Sequence, residues 1–131
     1  MANFKKHATV GAAVGGGLNL LWQLNKISRS PDAPSGFWDT LRRIDFLEVA
    51  AFALLGTACA SLPDILEPAT NPNHRAFFHS AGCGGAVFYG AFGKHTERWS
   101  KEHRTTARTA ALSFLSHLAL DAGTPKGLPL L

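Results

Sequence analysis

Residues 73–80 read Asn73-His74-Arg75-Ala76-Phe77-Phe78-His79-Ser80, two histidines on either side of an apolar run. The stretches that could work with it are Leu62-Pro63-Asp64 just upstream and Ser116-His117-Leu118-Ala119-Leu120-Asp121 near the end of the chain. Together they supply imidazoles and carboxylates but no cysteine pair, the mixture that a hard or borderline divalent ion takes. Whether they form one site depends on whether the fold brings them together.

Hydrophobic patterning and breakers predict four helices. The first covers about 8–24, apolar and small, with Gly11, Gly15, Gly16 and Gly17. That much glycine weakens a helix in water, by roughly 1 kcal/mol per residue relative to alanine, but lets helices approach closely in a bundle or a membrane. A polar loop with Pro31, Pro34 and Gly36 follows, and Ser35 or Asp39 could cap a second helix running from about Trp38 to Leu62, where Pro63 stops it. After a loop holding Pro68 and Pro72, the third helix is predicted from His74 or Arg75 to about Phe92, with Gly82, Gly84 and Gly85 in mid-helix. The charged stretch from Lys94 to Arg104 is read as a solvated helix end or turn, and the last helix is predicted over about Thr105 to Ala122 before Gly123, Pro125 and Gly127 break the chain.

The predicted fold class is therefore all-α, a single domain over residues 1–131 folded as an antiparallel four-helix bundle. In such a bundle the starts of odd helices and the ends of even helices share one end. His7, Asp64, His74, His79, His117 and Asp121 all fall at that end, which makes them the candidate metal ligands. Taken singly, each has an ordinary reading: His7 as a surface residue at a helix start, Asp64 as a turn carboxylate, His117 and Asp121 as an i, i+4 hydrogen-bonded pair. His74 and His79 lie about 140° apart on an ideal helix, so joint ligation requires His74 in a non-helical lead-in. His95 and His103 sit in the charged turn at the opposite end and are read as solvated.

The formal charge of +4 comes from 13 scattered Lys and Arg residues, so no nucleic-acid partner is expected. Cys59 and Cys83 both lie in apolar runs, where a free thiol acts as a small hydrophobe. The basic N-terminus with its following apolar run has the outline of a signal peptide, but His7, Asn19 and Gln23 interrupt that run, and it is expected to stay in the mature protein.

Four blocks stand in order along nearly the whole chain: His7, Leu-Pro-Asp-Ile-Leu-Glu-Pro at 62–68, His-Arg-Ala-Phe-Phe-His-Ser at 74–80, and Leu-Ser-His-Leu-Ala-Leu-Asp-Ala-Gly-Thr-Pro-Lys-Gly-Leu-Pro-Leu-Leu at 115–131. In these the chain resembles the YdjM-like family of small bacterial inner-membrane proteins, described as metal-dependent hydrolases. The resemblance implies a metal-dependent hydrolase in a bacterial inner membrane. One departure stands out: where the family commonly has Asp and His, this chain has Leu66 and Glu67. A carboxylate is lost, and Glu67 can replace the histidine only as an oxygen donor, which argues against a two-metal site or shifts it toward harder ions.

The expected function is hydrolysis dependent on one or two divalent ions, with Zn, Mn and Mg not distinguished. Glu67 is the candidate general base, or failing that a further ligand, and Arg75 the candidate for steadying an anionic substrate oxygen. Ser80 is expected to orient a ligand rather than act as nucleophile. The surroundings point to membrane lipid as partner and to a phosphoester such as a phospholipid or lipid-linked phosphate as substrate, with a homo-oligomer left open. The alternative is a non-catalytic membrane or adaptor protein whose metal pins the helix ends. A soluble or peripheral bundle is also an alternative, because residues 8–24 span only about 26 Å as a helix and the mean hydropathy is +0.03. Nine of the Lys and Arg residues lie toward the end opposite the site, which under the positive-inside tendency would make that end cytoplasmic.

Overall fold

The computed structural model describes residues 2–68, 70, 77–124 and 127–130. They form an all-α bundle: α1 (Ala2–Ser28), α2 (Phe37–Arg42), α3 (Phe46–Leu66), α4 (Ala81–Phe92), a 3-10 turn (Lys94–Arg98) and α5 (Lys101–Ala122). Helices α1, α3 and α5 pack on one another, and α4 lies chiefly against α5. His7 at the start of α1 reaches Asp121 at the end of α5, so these helices run antiparallel.

The α1–α3 pair is built on glycine. A Cβ placed on Gly11 or Gly15 would run into the backbone of Gly56 or Phe52, and one placed on Gly56 would run into Gly11. The two backbones meet directly, as small-residue packing predicts. Gly17, by contrast, faces open space. Farther along, a polar clasp fastens the other end of the same pair: Gln23 Nε2 donates to Asn19 Oδ1 at 2.8 Å and to Glu48 Oε2 at 3.3 Å, and Asp45 N donates to Gln23 Oε1 at 2.7 Å.

Several helix boundaries differ from those predicted: α1 extends beyond 8–24 at both ends, and α5 begins at Lys101 rather than about Thr105, inside the charged stretch. The second helix is divided: Asp45 caps α3 by accepting from Glu48 N, so the chain breaks at residues 43–45, and α2 starts after Gly36 without a side-chain cap. Pro63 does not stop α3, which continues to Leu66 with Glu67 N donating to the Pro63 carbonyl at 2.8 Å. A proline removes only its own N–H from the ladder, and near a helix end that loss is small. Helix α4 begins at Ala81, with Ser80 Oγ accepting from Cys83 N at 3.0 Å, so His79 belongs to the turn before it. The predicted start at His74 or Arg75 lies outside the described residues.

Burial is inverted relative to an ordinary soluble core. Among the described residues the only large apolar side chains that are buried are Phe114 and Leu118, while His7, Asn19, Gln23, His79, His117 and Asp121 are all buried. Leu47, Leu54 and Ile65 of α3, Phe88 and Tyr89 of α4, and Leu21 of α1 are exposed. Helix α3, at 21 residues, rises about 31 Å, and it is long and apolar enough to cross a membrane.

Candidate metal centre

Four elements deliver the cluster: His7 from α1, Asp64 from the last turn of α3, His79 from the turn before α4, and His117 with Asp121 from consecutive turns of α5. The ligand atoms of His7, Asp64 and His117 lie within 4.8 Å of one another, as do those of His79, His117 and Asp121. The structure thus brings together five of the six predicted ligands. His74 and Arg75 lie outside the described residues.

His117 is fixed by a contact that residue patterning did not reveal. Its Nδ1 is 2.7 Å from the carbonyl oxygen of Ala60 on α3. A carbonyl only accepts, so Nδ1 carries the proton and Nε2 of the neutral ring presents a lone pair. That Nε2 is buried without a hydrogen-bond partner, 3.3 Å from Asp121 Oδ2 and 3.8 Å from Asp64 Oδ1. Nothing in the residue type at position 60 signals the Ala60 contact, because the partner is a backbone carbonyl.

His79 meets carboxylates on both sides of its ring. Nδ1 is 3.0 Å from Glu67 Oε2, while Nε2 is 3.3 Å from Asp64 Oδ1 and 3.7 Å from Asp121 Oδ2. A neutral imidazole has one N–H and can serve one side. With the proton on the shorter contact to Glu67, Nε2 is a second lone pair aimed at carboxylate oxygens. The other oxygen of Glu67 accepts from Phe77 N at 2.7 Å, which ties the turn carrying His79 to the end of α3. Burial alone would raise the Glu67 carboxyl, but the bonds from His79 and from the Phe77 and Phe78 backbone outweigh it and hold it below its ordinary value. Glu67 therefore stands behind His79 with both oxygens engaged, in the position of an orienting carboxylate rather than of a general base facing the cluster.

His7 completes the group. Its ring stacks on that of His117 with centroids 3.7 Å apart, its Nε2 is 3.5 Å from Asp121 Oδ1, and its Nδ1 is buried without a hydrogen-bond partner. Ring nitrogens of His7, His79 and His117 and carboxylate oxygens of Asp64 and Asp121 thus converge in one buried place. The His117 Nε2 lone pair, buried against carboxylate oxygens, is repelled by them unless a cation lies between, and imidazoles with carboxylates are a donor set that a metal ion takes. The residues fit a divalent ion.

Access is one-sided. His79 and His117 are fully buried, whereas the Asp64 side chain keeps 21% of its surface exposed, so among the described residues the cluster meets solvent at Asp64. Ser80 spends its oxygen on the α4 cap. His95 and His103 are exposed, contact Gly90 and Ser100, and take no part, as predicted. Comparisons of this chain with protein-family models, with curated proteins and with solved structures find no match.

Proposed function

We propose that this chain is a membrane-associated hydrolase dependent on a divalent metal, acting on a phosphoester of a phospholipid or lipid-linked phosphate, and related to the YdjM-like family. The observation that carries the reading is the His117 ring: one nitrogen committed to Ala60, the other buried and aimed at two carboxylates. His7, Asp64, His79, His117 and Asp121 would hold the ion. Both ligand groups share His117, which has a single free nitrogen, and one lone pair serves one ion. We read the overlapping groups as one site for one ion, in keeping with the lost carboxylate at Leu66. The mixture of imidazoles and carboxylates suits Zn2+ or Mn2+ better than Mg2+, which takes oxygen donors.

When bound, such an ion lowers the pKa of a coordinated water and polarises the bond to be cut. The protein's own part is to hold His117 in one tautomer through Ala60, to hold His79 through Glu67, and to admit water and substrate on the Asp64 side. Arg75 stays the candidate for the substrate's anionic oxygen. Membrane association is supported by the length and apolarity of α3, by apolar side chains outside and polar ones within, and by the direct backbone packing of α1 on α3.

The burial of His79, His117 and Asp121 also favours a second reading, in which the ion only pins the helix ends and every coordination position belongs to protein. Metal analysis of protein purified without chelator, paired with hydrolysis assays on phospholipid and simple phosphodiester substrates, separates the two. The hydrolase reading expects about one ion per chain and turnover, both lost in Asp121→Ala and His79→Ala. Metal without turnover leaves the pinning role, and equal, negligible metal in all three proteins removes both.

A further inference from the structure

Helices α3 and α4 both pack on α5 but make little direct contact with each other, and the gap between them is an open cavity of about 400 Å³. Cys59 and Leu62 of α3 form one wall, Cys83 of α4 the other, and Ala110 and Phe114 of α5 the floor, with Phe78 at one end. Among the described residues no charged side chain lines it. Its small side chains leave the space unfilled: from Ala107 to Phe114 the α5 floor is mostly alanine, over about 10 Å of helix rise.

Position makes this groove more than an apolar gap. At one end its lining residues adjoin the cluster on every element that forms it: Leu62 is two residues before Asp64, Phe78 is next to His79, and Phe114 is three before His117. The groove is open, Leu62 in its wall is itself exposed, and the same two helices carry further exposed apolar side chains at Leu54, Ile65 and Phe88. A ligand that fits both features is apolar for the length of the groove and polar at the end that reaches the metal centre.

We infer that the groove between α3 and α4 binds one hydrocarbon chain of a glycerophospholipid and so sets the phosphoester headgroup against the His79–His117–Asp121 cluster. This rests on the hydrolase reading for the role of the head, whereas chain binding is measurable by itself. The chain enters sideways from the apolar surface and its length along α5 sets the depth at which the phosphate stops.

Cys59 and Cys83 face the groove, so their alkylation by a maleimide reports occupancy in the full chain, purified in a bulky sterol-type detergent. At about ten times its dissociation constant, palmitoyl lysophosphatidylglycerol should slow Cys59 alkylation about tenfold, and glycerol 3-phosphate, which lacks the chain, should not. Ala110→Trp fills the groove and should abolish protection while bound metal stays at the wild-type level; Ala107→Leu, a milder filling, should weaken it. His117→Ala should lose metal yet keep protection, so chain binding and hydrolysis fail separately. Equal protection by glycerol 3-phosphate, or undiminished protection in both filled variants, overturns the inference. So does protection that grows with protein concentration in the absence of lipid, which would give the groove to a second copy of the chain.

Discussion

Replacing Gly15 by alanine should loosen the bundle, whereas the same change two residues later should tighten it. A Cβ on Gly15 would lie 3.0 Å from the Phe52 carbonyl carbon and 3.1 Å from Gly56 Cα, with the Phe52 oxygen closer still. Carbon atoms pack best at about 3.5–4.0 Å, so α1 and α3 must part by roughly 0.5–1 Å. Both obstacles are backbone and cannot swing aside. Overpacking costs about 1–3 kcal/mol, and with rigid backbone on both sides and the Phe52 oxygen nearest it falls here at about 2–3 kcal/mol, against which alanine returns about 1 kcal/mol of helix propensity. The net is a loss of about 1–2 kcal/mol, or a melting temperature lower by roughly 3–10 °C for a chain of this size. Gly17→Ala meets nothing within 4 Å and keeps the propensity gain, so it should melt about 3–5 °C higher. Thermal unfolding followed by circular dichroism, in the same detergent for both variants, measures the pair. If Gly15→Ala is as stable as wild type, or if Gly17→Ala falls as far, the α1–α3 contact is not the one described.

Other outcomes follow from the same geometry. Glu67→Gln keeps the size of the side chain but removes the charge behind His79, and metal titration should show affinity weakened about 10–100-fold with the stoichiometry retained; unchanged affinity would detach Glu67 from the site. Ser80→Ala should lose about 1 kcal/mol of stability with the α4 cap while any turnover per bound metal persists, and abolished turnover in a folded, metal-loaded variant would make Ser80 a reacting group. Gln23→Ala strands Asp45 N–H and Asn19 Oδ1, so stability should drop by about 1–3 kcal/mol with metal content intact; a matching loss of metal would show that the two ends of the bundle are coupled.

The composition of the centre was legible in the sequence because helix ends are punctuated by local chemistry. Glycine and proline placed the loops, alternate helix ends share one pole of a bundle, and His7, Asp64, His79, His117 and Asp121 were named on that ground alone. The same logic set His95 and His103 apart. Boundaries were less legible where two local signals compete: Pro63 reads as a stop, yet the helix passes through it, because one missing hydrogen bond near an end weighs less than the packing of a buried residue. Gly15 and Gly17 look alike in one dimension and differ only in what stands opposite.

Roles were decided by the tertiary structure. Glu67 has the chemistry of a base, and only its distances to His79 and Phe77 show both of its oxygens engaged behind that ring. No side-chain pattern could show that Ala60 matters, since its part is played by a backbone carbonyl brought to His117 from 57 positions away. Residue type and spacing along a helix determine which groups can gather at a pole; which nitrogen faces which oxygen depends on how the helices approach and turn against one another, and that is a property of the packed chain.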